Sequence, residues 1–262
     1  HQADPEFLLQ TCIFEAVFKS GNSISPDYGV DLIPIPDWVF EEFNMQPEDR
    51  NFSYEAMLYD DGTYHDHWAE GGSVPDITEI ETQMYFFYRA VRYINAGIEG
   101  IHLGQLEIMN FNDPDNEVAF ELVDRIREYA ENNARRGFIL FDAHVPTYGF
   151  LDDDGHLLLD FHSFPQRPKE LCDRPHPPYE AKLEIGFHDA IYTKSKGGIT
   201  PSGWECESLP YLVEMDNSGA ANPGVCGGDE WHWPWGWDEI NWFAHNPPEY
   251  RNQWLHYVGD WL

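Results

Sequence analysis

Carboxylates and histidines recur where the apolar runs of this chain end. Glu107 lies late in the run 101–109, and Asp142 with His144 late in 138–145. Asp160 and His162 flank the end of 157–161, and Glu184 falls inside 181–187. Glu214 and Asp216 close 211–215, and His245 follows 240–244. Two-residue alternation puts Gln105 and Glu107 on one side of an extended run, and Glu214 and Asp216 on one side of theirs. Two carboxyl groups on opposite sides of a glycosidic bond, one protonated and one ionised, can cleave it. We therefore expect Glu214 as nucleophile or base and Glu107 as general acid, with Asp142 as the substitute acid. Each follows an apolar run, so a partly dry setting is expected to help one of them keep its proton. Asp216 adds a negative charge close to Glu214. A carboxyl separation of about 5 Å would imply retention of configuration, and roughly 6.5–9.5 Å inversion.

Sugar rings present apolar C–H faces that stack on indoles. Trp231, Trp233, Trp235 and Trp237 crowd the loop before the last apolar run, and they are expected to line a substrate rim with His144, Glu184, Asp216 and His245. Trp204, Trp242, Trp254 and Trp261 are expected in the core. Metal chemistry is the rival. His65-Asp66-His67 has an H-x-H spacing, but it follows the turn sequence Asp60-Asp61-Gly62-Thr63 and reads as a surface loop. Asp142/His144 and Asp160/His162 repeat an Asp-x-His spacing that suits a divalent ion or an Asp that orients a His. Asp152-Asp153-Asp154-Gly155 lacks the Glu of a calcium loop and reads as a turn. No phosphate loop, dinucleotide fingerprint or G-x-S-x-G elbow is present, and neither metal nor cofactor is assigned. The glycine-containing run 196–204 looks like a motif without evident chemistry.

These residues need elements to position them. The 262 residues carry 15 Lys+Arg against 47 Asp+Glu, a net charge of −32, with 42% apolar and 16% aromatic residues. That is enough for a packed core despite the charge. The charge repels phosphate backbones and anionic lipid, so nucleic acid is not expected as a partner. No run approaches the roughly 20 apolar residues of a membrane span. The spacing of Ile80, Met84, Phe87, Val91 and Ile94 predicts a helix over 78–95, started by a Thr78-x-x-Glu81 capping box and stopped by Gly97. Val118, Leu122, Ile126 and Tyr129 predict a second helix over 114–134, capped at Asp113-Pro114. Each helix is followed by an apolar run, the pattern of a parallel sheet. With 11–18, 52–58, 157–161, 181–187, 211–215 and 240–244 the tally is eight strands. This predicts a single-domain (β/α)8 barrel over residues 1–262, with reduced helices and long loops in its second half. A hairpin with an Asp-Gly turn is predicted over 148–161. An open α/β sheet with a β-rich insertion is the alternative.

Strand-end carboxylates and rim tryptophans give the chain a broad resemblance to the (β/α)8 glycoside hydrolases. Within their large retaining clan an Asn-Glu pair ends the fourth strand and a Glu ends the seventh. Glu214, ending the seventh run, matches the latter. The fourth run ends Asp142-Ala143-His144, and no Asn precedes Glu107, so the acid position departs from the pattern. The resemblance implies a hydrolase acting on a poly- or oligosaccharide. A metal-dependent hydrolase on a similar barrel and a non-catalytic carbohydrate-binding domain are the alternatives. Cys206 and Cys226 flank a Gly/Pro-rich stretch that a disulfide would close; with the acidity this points to an exported protein. The start His1-Gln2-Ala3-Asp4, without Met, reads as a processed form or a piece of a longer chain.

Overall fold

The computed structural model describes residues 4–187, 194–216, 222–227 and 233–262. The chain divides into a first unit, His1–His162 with Ser195–Leu209, and a second, Ser163–Lys194 with Pro210–Leu262.

In the first unit, β1 (Gln10–Cys12), β2 (Val17–Phe18), α1 (Asp37–Glu42), β3 (Gly72–Ser73), α2 (Ile80–Asn95), β4 (Gly100–His102), α3 (Leu106–Met109), α4 (Glu117–Asn133) and β5 (Leu140–Ala143) follow in order, and β6 (Phe161–Pro165) begins in it. β1, β4, β5 and the start of β6 pair in parallel, with Cys12 beside His102, His102 beside Asp142, and Ala143 beside His162. The predicted periodicity is what builds the core. α2 buries Met84, Phe87, Val91 and Ile94, and α4 buries Ala119, Leu122, Val123, Ile126 and Ala130. These side chains join Ile13, Ile101, Leu103 and Phe141 in one cluster. Each buried Val, Leu, Ile, Phe or Met among them contributes about 1.5–3 kcal/mol.

Both helices start later than predicted, and buried carboxylates hold the segments that lead into them. Thr78 donates its N–H and hydroxyl to Asp76 at 2.9 and 2.7 Å, and α2 opens at Ile80. Glu81 is drawn away from the capping box by Arg50 at 2.7 Å and the Ser53 N–H at 2.7 Å. α4 opens at Glu117 after Asn116, which takes a left-handed φ of 58°. Asp113 still serves the helix, accepting from the N–H groups of Val118 and Ala119 at 3.2 and 2.9 Å. Asp113→Ala is expected to cost about 1–2 kcal/mol by orphaning these donors. Urea denaturation checks this: Asp113→Asn should retain most of the stability, and an unchanged midpoint in Asp113→Ala would remove the capping role.

The closed eight-stranded barrel is not what forms. Among the described residues the main sheet has five strands in the order β1-β4-β5-β6-β9, where β9 is Tyr211–Glu214. Several predicted runs have other fates. Residues 52–58 contain a 3-10 turn at Glu55–Met57, because Phe52, Tyr54, Met57 and Leu58 bury without two-residue alternation. The run 240–244 lies in α5 (Glu239–His245), capped by Asp238, whose side chain accepts from the Asn241 N–H. A short apolar run has no period long enough to separate helix from strand. The run 101–109 stops as a strand at His102, turns at Gly104 (φ 61°) and continues as α3. A side chain at Gly104 would collide with the Glu15 carboxylate. The predicted hairpin is present in reduced form, with Leu151 and Leu157 bridged antiparallel across Gly155 at φ 82°. The motif-like run 196–204 packs on it: Ile199 exchanges backbone hydrogen bonds with Gly155 and Leu157 at 2.9 and 2.7 Å. Gly198 is needed there, since a Cβ would strike the Gly155 carbonyl.

In the second unit β7 (Lys169–Glu170) and β8 (Ala181–Lys182) pair antiparallel, so the run 181–187 is an antiparallel strand of two residues. α5 and α6 (Pro248–Trp261) follow β9. The core holds Phe164, Leu183, Trp235, Trp237, Trp242, Trp254 and Val258. Each of three buried indoles spends its N–H inside the unit: Trp235 on Glu180 O (3.0 Å), Trp242 on Tyr179 O (2.8 Å) and Trp254 on Gln166 Oε1 (2.5 Å). Trp204, expected in the core, is 49% exposed. The disulfide joins Cys172 to Cys226, with Cα atoms 5.7 Å apart. Cys206 belongs to the first unit and is a free thiol. Among the described residues no helix is long and apolar enough to cross a membrane.

Candidate functional site

Parallel strands bring their C-terminal ends to one edge, where α/β sheets bind ligands. In the first unit that edge carries Cys12, His102 and Asp142 at or near the ends of β1, β4 and β5, with His144 directly after β5 and His162, early in β6, level with Ala143. Asp142 is 2% exposed and accepts from His102 Nδ1 at 2.5 Å. Its other oxygen accepts from Gln10 Nε2. Gln10 and His102 thus converge on one buried carboxylate. The backbone N–H of His144 donates to Gly104 O at 2.8 Å, which ties the end of β5 to the turn after β4. The His102 and His144 rings lie 5.3 Å apart, tilted by 59°. Phe14 meets His102 edge-on at 6.0 Å. His162 is fully buried, and burial, with His144 as a second cause, pulls its pKa down to about 4, so the ring is neutral at physiological pH.

Glu107 is positioned differently from expectation. It is exposed on α3, not on a strand, so the dry setting anticipated for it is absent. The Tyr148 phenol donates to its Oε1. Burial and then this bond raise the Tyr148 pKa to about 12. Within the unit Asp142 thus engages His102, while Glu107 engages Tyr148. Glu15, 5% exposed, accepts from the Gln105 N–H at 2.9 Å and steadies the turn ahead of α3. His65-Asp66-His67 forms the expected loop, with Asp66 at φ 52° accepting from the Gly71 N–H at 2.6 Å.

The other candidates belong to the second unit. Glu214 ends β9, and the Ser163 hydroxyl donates to its Oε2 at 3.0 Å. Asp216 pairs with Arg167 Nη2 at 2.7 Å. Arg167 is 3% exposed and also meets Glu239, itself 1% exposed, at 3.2 Å. Glu239 accepts from the N–H groups of Gln166, Arg167 and Asp216 at 3.2, 2.6 and 3.1 Å, clamping the segments that follow β6 and β9. Glu184 is held between Lys169 and Lys182 at 2.6 and 2.7 Å, which lower its pKa to about 2. Such a carboxyl is a persistent anion and a poor proton donor.

Two of the four expected rim tryptophans are core. Trp235 and Trp237 are 1% and 7% exposed, Trp233 is half-buried, and Trp231 lies outside the described residues. His245 sits on α5, stacked on Trp237 at 4.6 Å and 17°. The residues that sequence reasoning missed are His102, Gln10, Tyr148 and Glu239. His102 was within reach, because it occupies the end of an apolar run once that run is cut at Gly104. The other three act only through partners distant in sequence. No family model, no curated protein and no solved structure matches this chain.

Proposed function

We propose that this chain is a hydrolase of glycosidic bonds in an oligo- or polysaccharide. The observation that carries the reading is Glu107, an accessible carboxyl after the C-terminal end of β4, held by the Tyr148 phenol beside the polar strand edge of its unit. A carboxyl so placed can reach a substrate oxygen, and Tyr148 fixes which of its oxygens is engaged. Glu107 is the acid–base group. In the second unit Glu214 ends β9, braced by the Ser163 hydroxyl. Asp142 is not an acid in this reading, because it is committed to His102. The Cys172–Cys226 disulfide supports an exported protein, since such bonds persist in oxidising compartments.

The test is turnover on a panel of aryl glycosides and soluble polysaccharides. Glu107→Gln is expected to lose about a hundredfold on polysaccharide. It should lose far less on dinitrophenyl glycosides, whose leaving group needs no proton. A wild-type chain that cleaves nothing in the panel, or a Glu107→Gln variant that keeps full turnover, would overturn the reading.

A further inference from the structure

We propose that His102 and His144 bind a divalent transition-metal ion of the zinc class, with Asp142 as the group that orients the first ligand. Both residues stand at the C-terminal ends of neighbouring parallel strands, β4 and β5. Each offers a ring nitrogen, and these lie within 4.8 Å of one another. Two imidazoles on one ion hold their nitrogens about 2.0–2.1 Å from it, so small ring rotations close this gap. His102 Nδ1 lies 2.5 Å from Asp142 Oδ1, the placement of a carboxylate that orients a histidine ligand. Gln10 donates to the other carboxylate oxygen and fixes the orientation of Asp142. A carboxylate behind a histidine raises its basicity and fixes its ring as a metal ligand.

The second ligand is anchored independently. The His144 backbone N–H is bound to Gly104 O at 2.8 Å, so the ring projects from a fixed point. His102 is 7% exposed and His144 half-buried, so the pair is partly dehydrated yet reachable from solvent. Imidazole donors select zinc, cobalt, nickel or copper over magnesium and calcium, which prefer all-oxygen shells. Water completes the coordination, and the ion would act as a Lewis acid at the strand edge. This goes beyond the glycosidase reading and does not depend on it.

The full chain, stripped with a chelator, is titrated with Zn2+ by calorimetry and with Co2+ by visible absorption. Wild type is expected to bind one equivalent, with cobalt bands characteristic of nitrogen ligands. His102→Gln and His144→Gln should each weaken binding by about a hundredfold. Asp142→Asn should weaken it about 10–100-fold with unchanged stoichiometry, a response that a merely adjacent residue would not give. The double variant His65→Ala/His67→Ala should bind as wild type, which separates this site from the exposed H-x-H loop. Circular dichroism of each variant checks folding, and His144→Gln, altering a half-buried ring, is the variant that tests the site if His102→Gln unfolds. Absence of binding by wild type, or binding that survives His144→Gln unchanged, would overturn the proposal. Because the readout is binding, its failure is distinct from failure of the glycosidase reading.

Discussion

Arg167→Met is expected to lower stability by about 3–5 kcal/mol at pH 8, because it strips the counter-charge from a carboxylate that solvent cannot reach. Arg167 and Glu239 are 3% and 1% exposed and 3.2 Å apart. Methionine keeps most of the stem volume and makes no new charge. Burial is the main influence on Glu239, raising its pKa from an ordinary 4.5 to about 7. Arg167 and the backbone N–H groups of Arg167 and Asp216 oppose that rise. With the guanidinium gone, the variant must leave Glu239 charged in the core or protonate it. The loss should therefore shrink at pH 5, where the carboxyl already carries a proton in wild type.

The sign for wild type follows from the same shift. Between 4.5 and about 7 the folded chain holds a proton on Glu239 that the unfolded chain has released. Its contribution to stability is complete below pH 4.5 and is lost as pH rises through 7. Glu239→Gln should remove this component of the pH dependence. Urea unfolding of wild type, Arg167→Met and Glu239→Gln at pH 5 and pH 8 checks the argument. An Arg167→Met loss of equal size at both values would mean that packing of the stem, not the Glu239 charge, sets the cost.

Loss of the Cys172–Cys226 bond should destabilise the chain by about 4 kcal/mol through the added entropy of the unfolded state. The two cysteines are 54 residues apart, so the bond closes a long loop. Glu170, two residues before Cys172, accepts from the N–H groups of Gly227 and Trp235. The bond therefore also joins two segments that share an acceptor. The double variant Cys172→Ser/Cys226→Ser should melt well below wild type, and reduction of wild type should reproduce the shift. Cys226→Ser alone should leave Cys206 as a thiol on alkylation. A melt unaffected by reduction would show that the loop is already closed by packing.

What the amino-acid order determined by itself is local. The helical spacing of Met84, Phe87, Val91 and Ile94, and of Leu122 and Ile126, is visible within a few turns and appears in α2 and α4. The helix–strand alternation that follows them appears as parallel β4 and β5. The Asp-Gly turn at Gly155 and the polar residues closing apolar runs are equally short-range signals. Strand number was not of this kind. The run 240–244 satisfied a strand pattern and became a helix once Asp238 capped it and Trp242 found a core. The tertiary structure alone decided that Trp235 and Trp237 are buried, and that Cys226 pairs with Cys172. It alone decided that Asp142 meets His102, 40 residues away. It likewise gathered Gln166, Arg167 and Asp216 onto Glu239. The physical reason is range. Periodicity and capping act between residues a few positions apart. Burial, ion pairing and disulfide formation depend on which distant segments the packed chain brings together.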